Sequence, residues 1–308
     1  MPLNKSTMFS TMRSHFAFKG LGLGLSLLQV LTMPLVSVAN AQQITPDGRT
    51  DTTLTINGNV TDVRTNTRYG NTGVNSFSVF NVYQGHEVNL FLPGQTDNLV
   101  NMVSDQQTVI DGMLNAYKDG RIGGNVYFLN PHGVVVGSSG IVNVGRLSMV
   151  TPTFQFMDSL FGPGNVLSAP SIRAVLDNNV PISRSGLIDV RGQINAAGGT
   201  NLQSGSVIVS GQIQSGVPAI VAIDNVVNLS SASAPSGIVA LDGNTAPDTK
   251  LAALGDMIIT GEVSADGDNG QDAGSIRLTA DGDITLGAGA NITADAHGSG
   301  NAGSVIVM

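Results

Sequence analysis

The amino-acid sequence predicts an all-β protein of the β-solenoid type, in which short strands wind in successive coils around one axis. Three observations carry this prediction. Among 308 residues, 39 are Gly, aromatic residues make up 5% and charged residues 12%, which leaves few of the Lys and Glu side chains that cover helix surfaces. Short apolar runs of period two alternate with Gly, Asn and Asp corners. One phrase also recurs at constant offsets, which indicates stacked repeats. A β-sandwich is the alternative, but register-locked repeats are not its signature.

The first 41 residues have the pattern of a cleavable export signal. An apolar stretch runs from Leu21 to Ala39, and Ala39-Asn40-Ala41 supplies the small-x-small pattern that places cleavage before Gln42. Three basic residues precede the stretch: Lys5, Arg13 and Lys19. A membrane anchor is the alternative, because the stretch approaches the length of a bilayer span. Gly and Pro interrupt it and no basic cluster follows, so the sequence favours export.

Charge and cysteine content restrict the partners and the compartment. Without the three basic residues of the signal, eleven Lys and Arg face 22 Asp and Glu, and the mature net charge is about −11. Such a surface repels phosphate backbones, so no nucleic-acid partner is expected. The chain has no Cys. No disulfide can therefore form before an exported chain crosses a second membrane, although chance absence explains the composition equally well.

The strands begin directly after the signal. Thr52–Thr65 predicts a hairpin around an Asn57-Gly58 turn. Val74–Val82 predicts a strand with Val74 and Phe80 on one face and Phe77 on the other. Further strands are predicted in EVNLFLP and DNLVNMV, and two Asp-Gly pairs favour short strands and corners over a helical turn in residues 104–120.

Residues 151–186 interrupt this pattern. Thr151–Pro181 contains three Phe and four Pro residues and a candidate short helix near Phe154–Leu160. We interpret the segment as an insertion that packs over the side of the main body or caps it. A binding loop is the alternative, and the covering role is favoured.

From Leu187 onward the chain repeats one phrase. An apolar anchor at Ile194, Val263 or Ile292 is followed by a turn of small residues. A Gly-Ser pair that opens a strand then begins at Gly205, Gly274 and Gly303, in the same order. The second and third copies are 29 residues apart at both positions, and the first and second are 69 apart at both. Constant offsets predict units that bury their apolar faces against one another.

One corner lies between two strongly apolar runs. Val126–Leu129 and Val134–Val136 predict strands on either side of Asn130-Pro131-His132-Gly133, and Ile141–Val144 predicts a third. Pro131 fixes its own torsion and favours an extended Asn130. The Asn130 amide can bond neighbouring backbone groups, and Gly133 can take a positive φ.

Three phrases in this region resemble a known family. They are NSFSVFNV, DNLVNMVSDQQTVIDGML and NVYFLNPHGVVVGSSGIVNVGRL, which occupy Asn75–Val82, Asp97–Leu114 and Asn125–Leu147. The chain is similar to the filamentous haemagglutinin-type secretion domain, the N-terminal module of two-partner-secretion exoproteins. The family's Asn-Pro-Asn-Gly corner has His132 in place of its second Asn here. VNLFLPG and the NPHG variant are most similar to leukotoxin-type filamentous adhesins, whereas the Asn-Pro-Asn-Leu element of some members has no literal match.

The resemblance implies a right-handed parallel β-helix. It also implies that an outer-membrane barrel transporter recognises the domain through periplasmic modules, and that the chain threads outward and folds at the surface of a Gram-negative bacterium. An adhesin of this kind would in addition contact a host-cell or matrix ligand. The residues expected to act in transporter recognition or nucleation are Asn130, Pro131, His132, Gly133, Asn98 and Leu99.

An enzyme is the alternative function, because some β-helices act on polysaccharides. After cleavage three His residues remain, at 86, 132 and 297, without metal-ligand spacing. Asp266, Asp268 and Asp272 are the acidic candidates, but Gly270 occupies a ligand position of the Ca²⁺-loop pattern. Solvated corners explain these acids better. We predict no catalytic residues, no metal and no cofactor.

The predicted domain order follows from these segments. Residues 1–41 form the signal peptide, 42–150 the secretion domain, 151–186 the insertion and 187–308 β-helix repeats. The sequence stops within a repeat at GSVIVM without a polar capping segment, so the repeats are expected to continue beyond this chain.

Overall fold

The structure, a computed structural model, describes residues 43–215, 248–267 and 270–308. The signal predicted for residues 1–41 and the candidate Asp268 lie outside this part of the chain. The described residues form a parallel β-helix whose coils each contribute one strand to three sheets. The predicted fold class is confirmed. The β-sandwich alternative is wrong, because neighbouring coils pair in parallel register along one axis.

The chain begins with an N-terminal group of strands and coil 1. These strands are β1 Ile44–Pro46, β2 Thr52–Asn57, β3 Val60–Thr65, β4 Arg68–Tyr69, β5 Thr72–Val82 and β6 Glu87–Phe91. Coil 1 consists of β5 and β6, and β3 pairs with β6 in parallel. The other three strands are antiparallel, since β2 pairs with β3 while β1 and β4 pair with β5. The predicted hairpin at Asn57-Gly58 is confirmed, with Gly58 at φ 59°. This antiparallel group covers coil 1 at the N-terminal end.

The following coils repeat one order of sheets. Coil 2 contains β7 Asn98–Val103, β8 Thr108–Ile110 and β9 Met113–Lys118, with β10 Arg121–Ile122 as a hairpin partner of β9. Coil 3 contains β11 Asn125–Leu129, β12 Val134–Val136 and β13 Ile141–Val144. In each coil the first strand belongs to sheet 1, the second to sheet 2 and the third to sheet 3. The strands predicted on both sides of residues 130–133 are confirmed.

Coil 4 carries the insertion between its first two strands. It contains β14 Arg146–Val150, α1 Phe154–Ser159, a 3-10 helix Pro163–Asn165, α2 Ala169–Leu176, β15 Leu187–Val190 and β16 Gln193–Ala196. Coil 5 contains β17 Thr200–Ser204, β18 Ser206–Val209 and β19 Gln212–Ser215. Coil 6 contains β20 Thr249–Ala253, β21 Met257–Ile259 and β22 Glu262–Ser264. Coil 7 contains β23 Ile276–Ala280, β24 Ile284–Leu286 and β25 Asn291–Thr293, and β26 Val305–Val307 pairs with β23.

Aromatic side chains occupy the interior of the first coils. The rings of Phe77, Phe80 and Phe128 are fully buried. Phe80 packs edge to face against both other rings, with centroids 5.1 Å apart. The prediction that Phe77 and Phe80 lie on opposite faces is wrong. The first half of β5 pairs with β7 as far as Phe77, and its last residues pair with β8 from Asn81. The strand bends from sheet 1 into sheet 2 between these points, so the alternation shifts by one residue.

The insertion covers the outer face of sheet 1. Outward side chains of coils 1 to 4 form a second apolar cluster with residues of the insertion: Val74, Val100, Met102, Tyr127, Leu129, Val150, Met157, Leu160, Ile172, Val175 and Val180. The Thr153 side chain caps α1 by accepting from the Phe156 amide at 3.3 Å. The helix predicted near Phe154–Leu160 is therefore present, and the segment packs over the side of the β-helix.

The repeat offsets match the coils only in part. Val263 and Ile292 are direct neighbours in sheet 3. Ile194 lies two coils before Val263, with Ile213 between them. The equivalence of the Gly-Ser pairs at 205 and 274 is wrong, because Ser206 begins a sheet 2 strand and Ile276 begins a sheet 1 strand. The connection from sheet 3 to sheet 1 is short after Ala196 and long after Ser264. The same spacing between the apolar anchor and the Gly-Ser pair therefore leads to different sheets.

The aromatic interior predicts a large effect of one truncation. Phe128→Ala removes a fully buried ring that contacts Phe80, and should lower the free energy of unfolding by about 3–5 kcal/mol. Phe154→Ala, at a side chain that is 53% exposed, serves as the control and should change it by less than about 1 kcal/mol. Urea unfolding of the full chain, followed by circular dichroism, measures both. Equal losses would contradict the assignment of the interior.

Candidate recognition and nucleation site

The Asn130 side chain is the centre of the corner between β11 and β12. It is fully buried. Its Nδ2 donates to the Gln106 carbonyl oxygen at 2.8 Å and to Thr108 Oγ1 at 2.9 Å. Its Oδ1 accepts from the His132 amide at 2.9 Å. One amide group thus closes its own turn and binds the corner of coil 2, because it offers both donors and an acceptor. The local bond was predicted and the bonds to coil 2 were not.

The backbone of the corner extends the contact to coil 4. The Asn130 amide donates to the Val150 carbonyl oxygen at 3.1 Å, and the Gly133 carbonyl oxygen accepts from the Thr108 amide at 3.1 Å. Pro131 is buried between these groups. Coils 2, 3 and 4 are therefore joined at one point, directly after the buried Phe128 ring.

Gly133 is required at its position for two reasons. Its φ is +102°, a region that side-chain-bearing residues rarely adopt. A Cβ atom there would lie 2.6 Å from the Leu187 carbonyl oxygen of coil 4. The close approach of coil 4 to this corner thus depends on the missing side chain.

His132 connects the corner to the insertion. The residue is exposed, its Nε2 lies 2.9 Å from the Ser104 carbonyl oxygen, and its ring packs edge to face against Phe154 at 5.1 Å between centroids. The side chain thus touches the coil 2 corner and the first residue of α1. Both His132 and Phe154 keep part of their surface exposed.

The structure places Asn98 and Leu99 away from the corner. Both begin β7, and Asn98 aligns with Asn125, at the opposite end of sheet 1 from Asn130. Asn98 belongs to an amide ladder, since it accepts from Asn125 Nδ2 at 2.9 Å and donates to Asn71 Oδ1 at 3.3 Å. Leu99 is a fully buried core residue. The six predicted residues therefore form two separate groups.

The electrostatics beside Asn98 come from one ion pair. Lys118 Nζ donates to the Asp97 carboxylate, and Asn71 Nδ2 donates to its other oxygen at 3.2 Å. The hydrogen bond from Lys118, followed by that from Asn71, lowers the pKa of Asp97. Asp97 is therefore ionised at neutral pH, and it anchors β9 to the loop before β7.

A second amide ladder on sheet 3 was missed in the sequence. Its four buried members are Asn89, Asn115, Asn143 and Asn195, one from each of coils 1 to 4. Each of the last three amides donates to the one before it, at 3.1, 2.9 and 2.9 Å. The sequence contains a signal for this ladder, because the first three Asn residues follow one another at intervals of 26 and 28 positions, each the length of one coil. The insertion lengthens the third interval. Buried amides that bond only in register fix the alignment of the coils.

The acidic candidates have structural partners. Asp266 accepts from the Asp295 amide at 2.7 Å, and from Ser264 Oγ and Thr293 Oγ1 at 2.7 and 2.9 Å. Asp272 accepts from the Asn301 amide at 2.6 Å. These carboxylates bind the corner of the next turn of the chain. Within the described ranges no three His, Cys, Asp or Glu side chains are grouped for metal binding.

A family match defines the class of protein. The profile described as the TPS secretion domain matches residues 42–293, and the chain belongs to this family. It is a family of secretion domains and not a known enzyme family. Its members are secreted exoproteins of Gram-negative bacteria, and two-partner secretion uses a partner outer-membrane transporter.

Solved structures and curated sequences complete the comparison. The filamentous hemagglutinin secretion domain is 16% identical, with 87% of this chain and 100% of that chain covered and a TM-score of 0.43. The HMW1 secretion domain from Haemophilus influenzae is 18% identical, with 86% and 73% covered and a TM-score of 0.48. No curated protein matches the chain. In the described segments no helix has both the length and the hydropathy to span a bilayer.

The Gly133 geometry predicts a position-specific loss of stability. Gly133→Ala should lower the free energy of unfolding by about 1–3 kcal/mol or more, because the strained φ is joined by the contact with Leu187. Gly94→Ala is the matched control, since a Cβ there meets no atom within 4 Å, and should change it by about 0.5 kcal/mol or less. Urea unfolding of both variants distinguishes them. A Gly133→Ala variant as stable as the control would show that coil 4 is not held at this corner.

Proposed function

We propose that this chain is the N-terminal region of a secreted exoprotein, which directs export through an outer-membrane barrel transporter and then nucleates a β-helical surface adhesin or toxin. The observation that carries the proposal is the match of residues 42–293 to the TPS secretion domain. The fold supports it, because a stack of coils can be built in the order in which the chain emerges.

Coils 1 to 3 have the features of a folding nucleus. They contain the buried rings of Phe77, Phe80 and Phe128 and end at the Asn130 corner. Sheet 1 strands of successive coils are 26 and 27 residues apart in these coils, so their contacts close short loops and can form early. The strands of coil 3 then provide the edges with which the strands of coil 4 pair.

The antiparallel strands at the N-terminal end give this growth a direction. Strands β1, β2 and β4 pair beside coil 1, whereas each later coil pairs with the one before it. Addition of coils therefore proceeds from the N-terminal side toward residue 308. Burial of apolar side chains in each new coil would favour outward movement of the chain without nucleotide hydrolysis.

The exposed surface of the corner is proposed as the contact for periplasmic modules of the transporter. His132 and Phe154 provide an exposed imidazole and a half-exposed ring beside each other. Asn130, Pro131 and Gly133 are buried and act in nucleation. Asn98 and Leu99 support sheet 1 at its other end, with a role in nucleation only.

The domain order supports the same assignment. We propose that residues 1–41 are a signal peptide, that residues 42–150 with the covering insertion 151–186 form the secretion module, and that the repeats from 187 lead into the passenger. A host-cell or matrix ligand would bind that passenger. The enzyme alternative lacks support among the described carboxylates, because Asp266 and Asp272 bind the adjoining turn.

An export assay with the candidate transporter tests the proposal. The chain is expressed with and without the barrel transporter encoded nearest to it, and the culture medium is blotted. We expect extracellular protein only with the transporter. Extracellular protein in equal amounts without it, or periplasmic protein that cleaves polysaccharide, would contradict the proposal.

A variant of the corner tests its part in export. Asn130→Ala leaves the Gln106 carbonyl, the Thr108 hydroxyl and the His132 amide without their partner, which should lower stability by about 1–3 kcal/mol and reduce the extracellular yield several-fold. Asn179→Ala, at an exposed side chain in the insertion, is the matched control and should export normally. Equal yields would show that nucleation does not depend on this amide.

A further inference from the structure

One buried carboxyl group lies outside the recognition and nucleation site. Glu87 begins β6 on the outer side of sheet 3, and only 5% of the residue is exposed. Its Oε1 accepts from Asn115 Nδ2 at 3.0 Å. Its Oε2 is buried and has no hydrogen-bond partner within the part of the chain that the structure describes. Val60 and Met113 are its register neighbours on β3 and β9. One oxygen of this carboxyl group is therefore enclosed without a hydrogen-bond partner among the described residues.

The charged groups on the neighbouring strand β3 do not offset a negative charge at Glu87. Asp62, on β3, adds a second negative charge. Arg64, on the same strand as Asp62, is 3.6 Å from the Asp62 carboxylate and lies over the Phe91 ring at 3.6 Å from its centroid. Tyr117, on β9, has a pKa raised to about 12 by burial and by the charges of Glu87 and Asp62, so it stays neutral. The ionised Glu87 is thus buried beside a like charge.

We propose that Glu87 makes the stability of coil 1 depend on pH. The ionised carboxylate of Glu87 opposes the docking of β6 between β3 and β9 at neutral pH. Protonation removes this opposition. The effect is on the stability of the folded chain alone. Its biological meaning rests on the proposed function, because a chain that must stay unfolded until export benefits from a first coil that folds reluctantly.

The sign of the pH dependence follows from the raised pKa. Burial raises the pKa of Glu87 above its ordinary value of 4.5, Asp62 adds to this, and the hydrogen bonds from Asn89 and Asn115 oppose it. The folded chain therefore holds the proton more tightly than the unfolded chain. This group's contribution to stability is full below about pH 4.5 and is lost as pH rises through the folded-state pKa. Between the two pKa values the ratio of unfolded to folded chain rises by up to about tenfold per pH unit.

Charge-removing variants test the proposal on the full chain. Glu87→Gln removes the charge and keeps the shape of the side chain. Glu87→Met replaces the carboxyl group by the apolar side chain that its register neighbour Met113 carries. Urea unfolding at several pH values from 4.5 to 8 gives the stability of each. For at least one of the two variants, we expect the ratio of folded to unfolded chain at pH 7.5 to be about tenfold or more above that of the wild type. The same variant should lose the part of the change of stability with pH that Glu87 causes.

Glu262→Gln is the matched control. Glu262 occupies the same register position of sheet 3 in coil 6, where it is half-buried and accepts from Gln212 Nε2 at 2.9 Å. Its substitution should leave the pH slope above 4.5 unchanged. The proposal is overturned if both Glu87 variants keep the wild-type slope, or if neither folds. Purified protein without a transporter is used throughout, so a failure here is separate from a failure of the export assay.

Discussion

Each coil of this protein completes the burial of its inward side chains against the coils on either side, and parallel strand pairing is therefore the constraint on which the structure depends. A shift of one residue in a strand would exchange its buried and exposed faces. The backbone ladder alone is uniform and does not select one alignment. Buried amides supply the selection. Asn130 bonds across to coil 2, and the four Asn residues of sheet 3 bond to one another only when coils 1 to 4 are aligned.

The two halves of the described β-helix maintain this alignment differently. Coils 1 to 4 combine buried Asn ladders, an aromatic interior and the helical insertion over sheet 1. Coils 6 and 7 use Asp side chains at corners, where Asp256 accepts from the Asp283 amide at 3.1 Å and Asp248 from the Ser275 amide at 2.9 Å. The first arrangement is more deeply buried and includes more of the apolar core. The N-terminal coils are thus suited to fold first and to support the later coils.

Local chemistry made part of the fold and site predictable. The Asn57-Gly58 hairpin, the strands around Asn130 and the need for Gly at 133 follow from turn geometry, which involves adjacent residues. The partners of that corner were not predictable, because Gln106, Thr108 and Leu187 lie 22 to 54 positions from the residues that they contact and meet them only through the coil register. The faces of Phe77 and Phe80 were misassigned because the strand bends, and the Gly205 equivalence failed because connections between sheets differ in length.

We propose that folding begins in coils 1 to 3 and that later coils are added in order. Pulse-labelled hydrogen exchange during refolding of the full chain tests it directly, because the amides of each coil report when that coil forms. We expect amides in residues 72–144 to be protected first, among them the His132 amide bonded to Asn130, followed by residues 187–215 and then 248–293. Protection of the last segment before the first, or of all segments at one rate, would contradict it.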